Sequence, residues 1–273
     1  MSILVCVSGM PYAAATVRMG DLVARLRNSP VMLFTMIRSE GERPLAETML
    51  HEVETSLSAP VVDKVVRLGS PATGILQESS IGEHDMIVVG AHVEAGFWDQ
   101  FARSIPHRIS RRADASVLIV HEKAAALQRV LICTGDGRRG GRSVIRAGAR
   151  LAKAASAEVG LLYVTDPVPA MYAGLADMDE TLPELLQSNT PLAKHLRWGS
   201  RYLVKKGVTG RLKLRQGVVA DEILLEASEG HYDLVVIGAR LEDSIINSLL
   251  IGSVTPHVVD RAPCSVLVVR TEL

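Results

Sequence analysis

The sequence predicts an α/β chain of two tandem domains, each a doubly wound, five-stranded parallel sheet. Three observations carry that expectation. Short apolar runs without polar alternation, such as residues 3–7, 31–37 and 234–237, read as strands buried on both faces. Ala/Arg-rich stretches of helical spacing separate them, which is the pattern of a parallel sheet with helices on both faces. The whole pattern then occurs twice. Ile3-Leu-Val-Cys6 returns as Val130-Leu-Ile-Cys133, 127 positions later, and His84 to Gly90 returns as His231 to Gly238, with the glycines 148 apart.

In chain order, the strand at 3–7 leads into a small-residue loop and a helix over 13–26. A second strand follows at 31–37, a third at 61–68, a helix over 71–79, a fourth strand ending at Gly90, and a closing strand at 115–120. The second half repeats this with a strand at 130–134, a helix over 143–155 and a strand at 159–164. Residues 211–216 alternate polar and apolar strictly, as expected of a strand near a sheet edge with one exposed face. A helix over 220–228, the strand at 234–237 and a closing strand at 264–269 complete the half. Because the repeat offset grows from 127 to 148, about twenty residues are inserted. They fall in the turn-rich stretch 166–191, with a short helix at 182–186. The polar linker at 121–128 divides the chain into domains at 1–123 and 128–273. Each closing strand, 116–120 and 265–269, would leave an apolar edge unless paired, and the two halves can pair with each other. Such a chain mimics a dimer of single domains, with a further homodimer left open.

Composition narrows the partners. Of 273 residues, thirty are basic and thirty acidic, so net charge makes no default case for nucleic acid or a membrane surface. No stretch approaches the ~18 apolar residues of a spanning helix, and the N-terminus lacks the form of a signal peptide. Cys6, Cys133 and Cys264 lie in or beside strand-like runs and read as small hydrophobes in a reducing compartment. A cytoplasmic protein is expected.

The sharpest functional feature is the end of the strand at 234–237. Gly238 lets the backbone turn and approach a ligand, and Gly252-Ser253-Val254 opens a helix that carries Pro256 in its first turn. Ser253 is a good N-cap. Unpaired N–H groups at such a helix start form an anion site. Thr134-Gly-Asp136-Gly-Arg-Arg-Gly-Gly-Arg142, after the half's first strand, places three arginines amid glycines, a composition that can bind phosphate or form a solvated turn. The eight histidines show no metal-ligand spacing, so no metal site is expected, and no nucleophile elbow or Walker lysine is present.

The Asp-hydrophobic-Gly strand ends, together with the closing Ala-Pro-Cys-Ser-Val-Leu-Val-Val strand, resemble the universal stress protein family in its tandem form, over essentially the whole chain. The resemblance implies a stress-response regulator that binds ATP or another adenine nucleotide, with or without Mg2+. It implies at most slow ATP hydrolysis, since no general base stands out and no catalytic residue can be named. Family members that bind ATP carry a glycine, two residues, a glycine, nine residues, then glycine and Ser or Thr. By that resemblance the nucleotide site is expected at Thr134, Asp136, Val164, Gly238, Arg240, Gly252, Ser253 and Val254. Leu241 replaces the middle glycine, and the loop is one residue longer. The family's aspartate position falls on Gly135, one residue before Asp136. In the first half the spacing is kept, but Val93 and Arg103 stand where glycines are expected. Arg103 would set a side chain where phosphate meets bare backbone, so the first domain is expected to serve structure or partner contact. The alternative reading is a ligand-free interaction module in which both loops are structural. A third reading, an enzyme of the wider nucleotide-binding α/β group, lacks catalytic residues.

Overall fold

The computed structural model describes residues 1–9, 13–91, 104–121, 126–135, 140–165, 182–239 and 254–270. The chain forms two compact units, Met1–Ala126 with Ala262–Arg270, and Leu127–Arg261.

The first unit runs β1 (Ser2–Cys6), α1 (Ala14–Arg27), β2 (Val31–Ile37), α2 (Arg43–Ser56), β3 (Val61–Leu68), α3 (Pro71–Ile81), β4 (His84–Gly90), α4 (Ser104–Arg112) and β5 (Ser116–Val120). The second runs β6 (Arg129–Cys133), α5 (Gly141–Ala155), β7 (Glu158–Thr165), α6 (Leu182–Gln187), α7 (Pro191–Lys205), β8 (Gly210–Gln216), α8 (Val219–Glu229), β9 (Leu234–Gly238) and α9 (Val254–Arg261). The last strand, β10 (Ser265–Val269), belongs to the first unit. Strands β1 to β5 lie parallel in the order β3-β2-β1-β4-β5, and β10 adds antiparallel to β5. Strands β6 to β9 lie parallel in the order β9-β6-β7-β8. Chain direction along the sheet reverses at β1/β4 and again at β6/β9, which puts successive crossover helices on opposite faces.

The apolar runs are cores in fact. Ile3, Leu4, Val5 and, in the repeat, Val130, Leu131 and Ile132 are fully buried. The duplication also reaches packing. A Cβ on Gly20 of α1 would come within 2.7 Å of Val5, and one on Gly148 of α5 within 2.6 Å of Ile132. Each glycine lets the first helix of its half lie close on the half's first strand. Helix α1 stops at Asn28, whose positive φ of 52° turns its N–H onto the carbonyls of Ala24 and Arg25. Helix α7 starts at Thr190, whose hydroxyl accepts from the Ala193 N–H, with Pro191 in the first turn.

The β5–β10 pair closes the edge that β5 would otherwise expose. Leu118 faces Leu267, and the ladder is finished at both ends by equivalent serines. The His121 N–H donates to Ser265 Oγ at 3.1 Å, and the Arg270 N–H to Ser116 Oγ at 3.1 Å.

Strand β8 lies at the sheet edge, beside β7, as its alternation predicts, but on its polar face only Arg211 is exposed and the rest is covered. Lys213 and Arg215 are half-buried beneath α8. Lys213 pairs with Glu226, and Arg215 reaches Glu226 at 2.7 Å, Glu222 at 3.2 Å and also Glu229. The polar positions thus answer a helix of carboxylates, which alternation alone cannot distinguish from water. Among the described residues no helix is long and apolar enough to cross a membrane.

Candidate functional site

The crevice of interest opens where β6 and β9 end. Pairing of Ile132 with Val236, carried two residues further, sets Thr134 level with Gly238. The Thr134 N–H donates to the Leu162 carbonyl at 2.9 Å, so Val164, two residues on, ends the neighbouring strand in the same region. Gly238 has no room to spare on one side, because a Cβ there would meet Val144 of α5 at 3.1 Å. Helix α9 is tied to the same strand end. The Thr255 hydroxyl donates to the Gly238 carbonyl at 3.3 Å, which brings Val254, the first residue of α9, to the mouth of the crevice. The N-terminus of α5 enters from the other strand. It begins after Gly140, whose φ of 71° is a turn glycine suits.

This is the strand-order reversal where open α/β sheets take ligands, at the carboxyl ends of the strands. Two helix starts converge on it, and a helix start carries N–H groups without intrahelical partners and a partial positive charge. Such an arrangement can hold a phosphate without any charged side chain.

The predicted residues divide cleanly. Thr134, Val164, Gly238 and Val254 come together at the crevice. Thr134 and Val164 are buried, at 7% and 9% exposure, at the carboxyl ends of their strands. Asp136, Arg240, Gly252 and Ser253 lie outside the described residues, as do Leu241, Val93, Arg103, Arg138 and Arg139.

His195 was not anticipated. It is buried on α7, and its Nε2 lies 2.8 Å from the Thr134 hydroxyl. Gly141 leaves space for this pair, since a Cβ there would sit 3.0 Å from both His195 Nε2 and Thr134 Oγ1. The Thr134 side chain is therefore turned toward α7 and fixes the floor of the crevice. Helical spacing of His195 with Gly199 and Leu203, both buried, is the pattern that places it on the inner face of α7. Arg142, one of the three loop arginines, does not point into bare solvent either. Its guanidinium lies 4.9 Å from the centre of the Trp198 ring.

Comparison with known proteins gives a consistent picture. The model of the universal stress protein family matches residues 1–121 and 126–270. A universal stress protein of Methanothermobacter thermautotrophicus is 32% identical over 115 residues, which are 42% of this chain and 77% of that protein. One of Methanocaldococcus jannaschii is 28% identical over 144 residues, 53% of this chain and 83% of that protein. The crystal structure of a universal stress protein from Archaeoglobus fulgidus shares the fold with a TM-score of 0.71 at 17% identity, covering 99% of this chain and 96% of that one.

Proposed function

The chain belongs to the universal stress protein family as a tandem, stress-response member, and from that premise we propose that its second domain, residues 128–273, binds an adenine nucleotide. The first domain, residues 1–123, is structural or contacts a partner. The observation that carries this reading is the junction of Gly238 with α9. The bond from Thr255 to the Gly238 carbonyl holds a helix start against the strand end at the sheet's switch point. A phosphate of ATP or a related nucleotide would sit on the backbone of Gly252, Ser253 and Val254, with Mg2+ as its natural companion. Val164 offers an apolar wall to the adenine, Thr134 is held beneath it by His195, and Asp136 and Arg240 are assigned to the site from the sequence alone. The first domain's equivalent loop carries Arg103 where the second has Gly252, so only one site per chain is proposed.

Calorimetric titration of the full chain with MgATP tests the reading. Gly252→Val puts a branched side chain where phosphate needs bare backbone, and an affinity loss of about tenfold or more is expected, equivalent to ~1.4 kcal/mol. Undiminished affinity in a folded variant would refute the site. Absence of any heat from the unmodified chain would favour the ligand-free interaction module instead.

A further inference from the structure

The balance of thirty basic and thirty acidic residues conceals a separation of charge within the second unit. Helix α5 carries Arg142, Arg146, Arg150 and Lys153, all exposed, and no acidic residue. Its neighbour α7 carries Lys194, Arg197, Arg201 and Lys205, again with no acidic residue. The corresponding helices of the first unit are mixed: α1 holds Arg18, Asp21, Arg25 and Arg27, and α2 holds Arg43, Glu47, Glu52 and Glu54. The concentration of charge is therefore peculiar to one copy of a duplicated architecture. Arg197 is occupied, donating to the Ser188 carbonyl at 2.8 Å. The other seven make no ion pair with a carboxylate among the described residues. The acidic side chains of α8 are engaged elsewhere, Glu222, Glu226 and Glu229 with Arg215, while Asp221 lies 3.4 Å from His257.

Between the two basic ridges stand half-buried aromatic rings. Trp198 and Tyr202 stack at 5.2 Å with planes 20° apart, and Arg142 and Arg146 lie 4.9 and 5.7 Å from the Trp198 centroid. A guanidinium held over a ring keeps its in-plane N–H donors free for phosphate, and its position is set before a ligand arrives. Arg142, Arg146 and Arg150 follow each other at one helical turn, roughly 6 Å apart along the axis. The result is a row of three exposed arginines, two of them held over Trp198, beside the half-buried rings of Trp198 and Tyr202.

We propose that the outer face of α5 and α7 binds single-stranded nucleic acid without sequence preference. Arginines with interleaved aromatics are what such a strand requires, since its phosphates need neutralising and its bases present open faces. A duplex hides those faces. An anionic membrane needs several aliphatic side chains to bury, and Val204 is the large aliphatic that stands exposed on these two helices. The centre of a protein interface is depleted of charge, whereas here charge is unbroken along both ridges.

The test is fluorescence anisotropy of a labelled oligouridylate of about 20 nucleotides, long enough for a single-strand site of this kind, titrated with the full chain. Binding is expected in low salt. It should weaken between about 50 and 200 mM salt, with a log–log slope that drops by roughly 2 in R142E/R146E/R150E, as three lost phosphate contacts require. That variant should lose at least about tenfold in affinity, the scale set by three released contacts. The control R18E/R38E/R112E removes the same net charge from exposed positions of the first unit, and should change affinity by less than about threefold, as a purely long-range effect would. Trp198→Ala should weaken binding more than Trp198→Phe, with melting temperature recorded for both. Equal losses in the two triple variants would overturn the proposal, as would no binding in low salt. Tighter binding to a duplex, to phosphatidylserine vesicles or to polyglutamate of equal charge would also overturn it and assign the face to that partner.

Discussion

Thr134 sits at the end of β6 where a nucleotide is expected, yet its hydroxyl faces His195. Thr134→Val keeps the shape and removes the hydrogen bond, so it should lower unfolding free energy by about 1 kcal/mol. ATP affinity should change by less than about threefold, because uniform support of a floor is not a ligand contact. Urea denaturation and calorimetry measure the two separately. A second residue-scale expectation concerns His84, whose Nδ1 lies 2.8 Å from Ser2 Oγ. Burial holds its pKa below the ordinary value, Glu78 opposes this, and the N-terminal charge reinforces it. The folded state therefore takes up this proton less readily than the unfolded chain. The His84 contribution is complete above ~6.5, the unfolded value, and is lost as pH falls from there through the lower folded value. Unfolding free energy measured from pH 7.5 down to 5 should decline along this limb, and His84→Gln should flatten it. At this scale Gly238 was legible from sequence as the end of β9, because a glycine closes its four-residue apolar run. His195 was not, since its partner is 61 positions away and a single histidine on a helix carries no spacing.

Elements were legible where one period dominates and less so where two surfaces compete. Strand β8 was found by its alternation, but which layer its polar residues meet depends on α8, whose carboxylates lie up to fourteen positions downstream. Glu226 is the centre of that layer. Burial pushes its pKa up, but hydrogen bonds and charge from Lys213 and Arg215 outweigh this and leave it below the ordinary carboxylate value. The helix 191–205 was implied only by the β-α-β rhythm, and with it the basic face of the second unit stayed hidden behind a net charge of zero. Close approach between elements gives a direct test. A Cβ on Gly160 of β7 would fall 2.2 Å from the Tyr232 hydroxyl and 2.8 Å from its ring carbon. Gly160→Ala must therefore displace a buried tyrosine, and a loss of about 2 kcal/mol in urea denaturation is expected. A loss under ~0.5 kcal/mol, the usual range of a neutral surface change, would show that the packing is looser than described.

For the molecule as a whole, the repeat offsets disclosed two copies and the size of the insertion, because matched strands keep their spacing. They placed the last strand in the second half, since Ser265 to Val269 repeats the closing strand of the first, but the pattern of a buried strand does not show which unit it packs with. It lies antiparallel to β5 in the first unit, with all five of its residues buried, as are four of its partner's. Chains ending at Arg261 should consequently expose the apolar edge of β5 and associate or aggregate. Analytical ultracentrifugation would detect this, and a truncated chain that sediments like the full-length protein would contradict the role given to β10. The duplication also makes the functional claim countable. With one crevice built on Gly238 and α9, and its counterpart carrying Arg103, the chain should hold one nucleotide and not two. Native mass spectrometry of the full chain with excess MgATP measures that number directly. One bound adenine nucleotide per chain is the predicted result, and two, or none, would contradict the account.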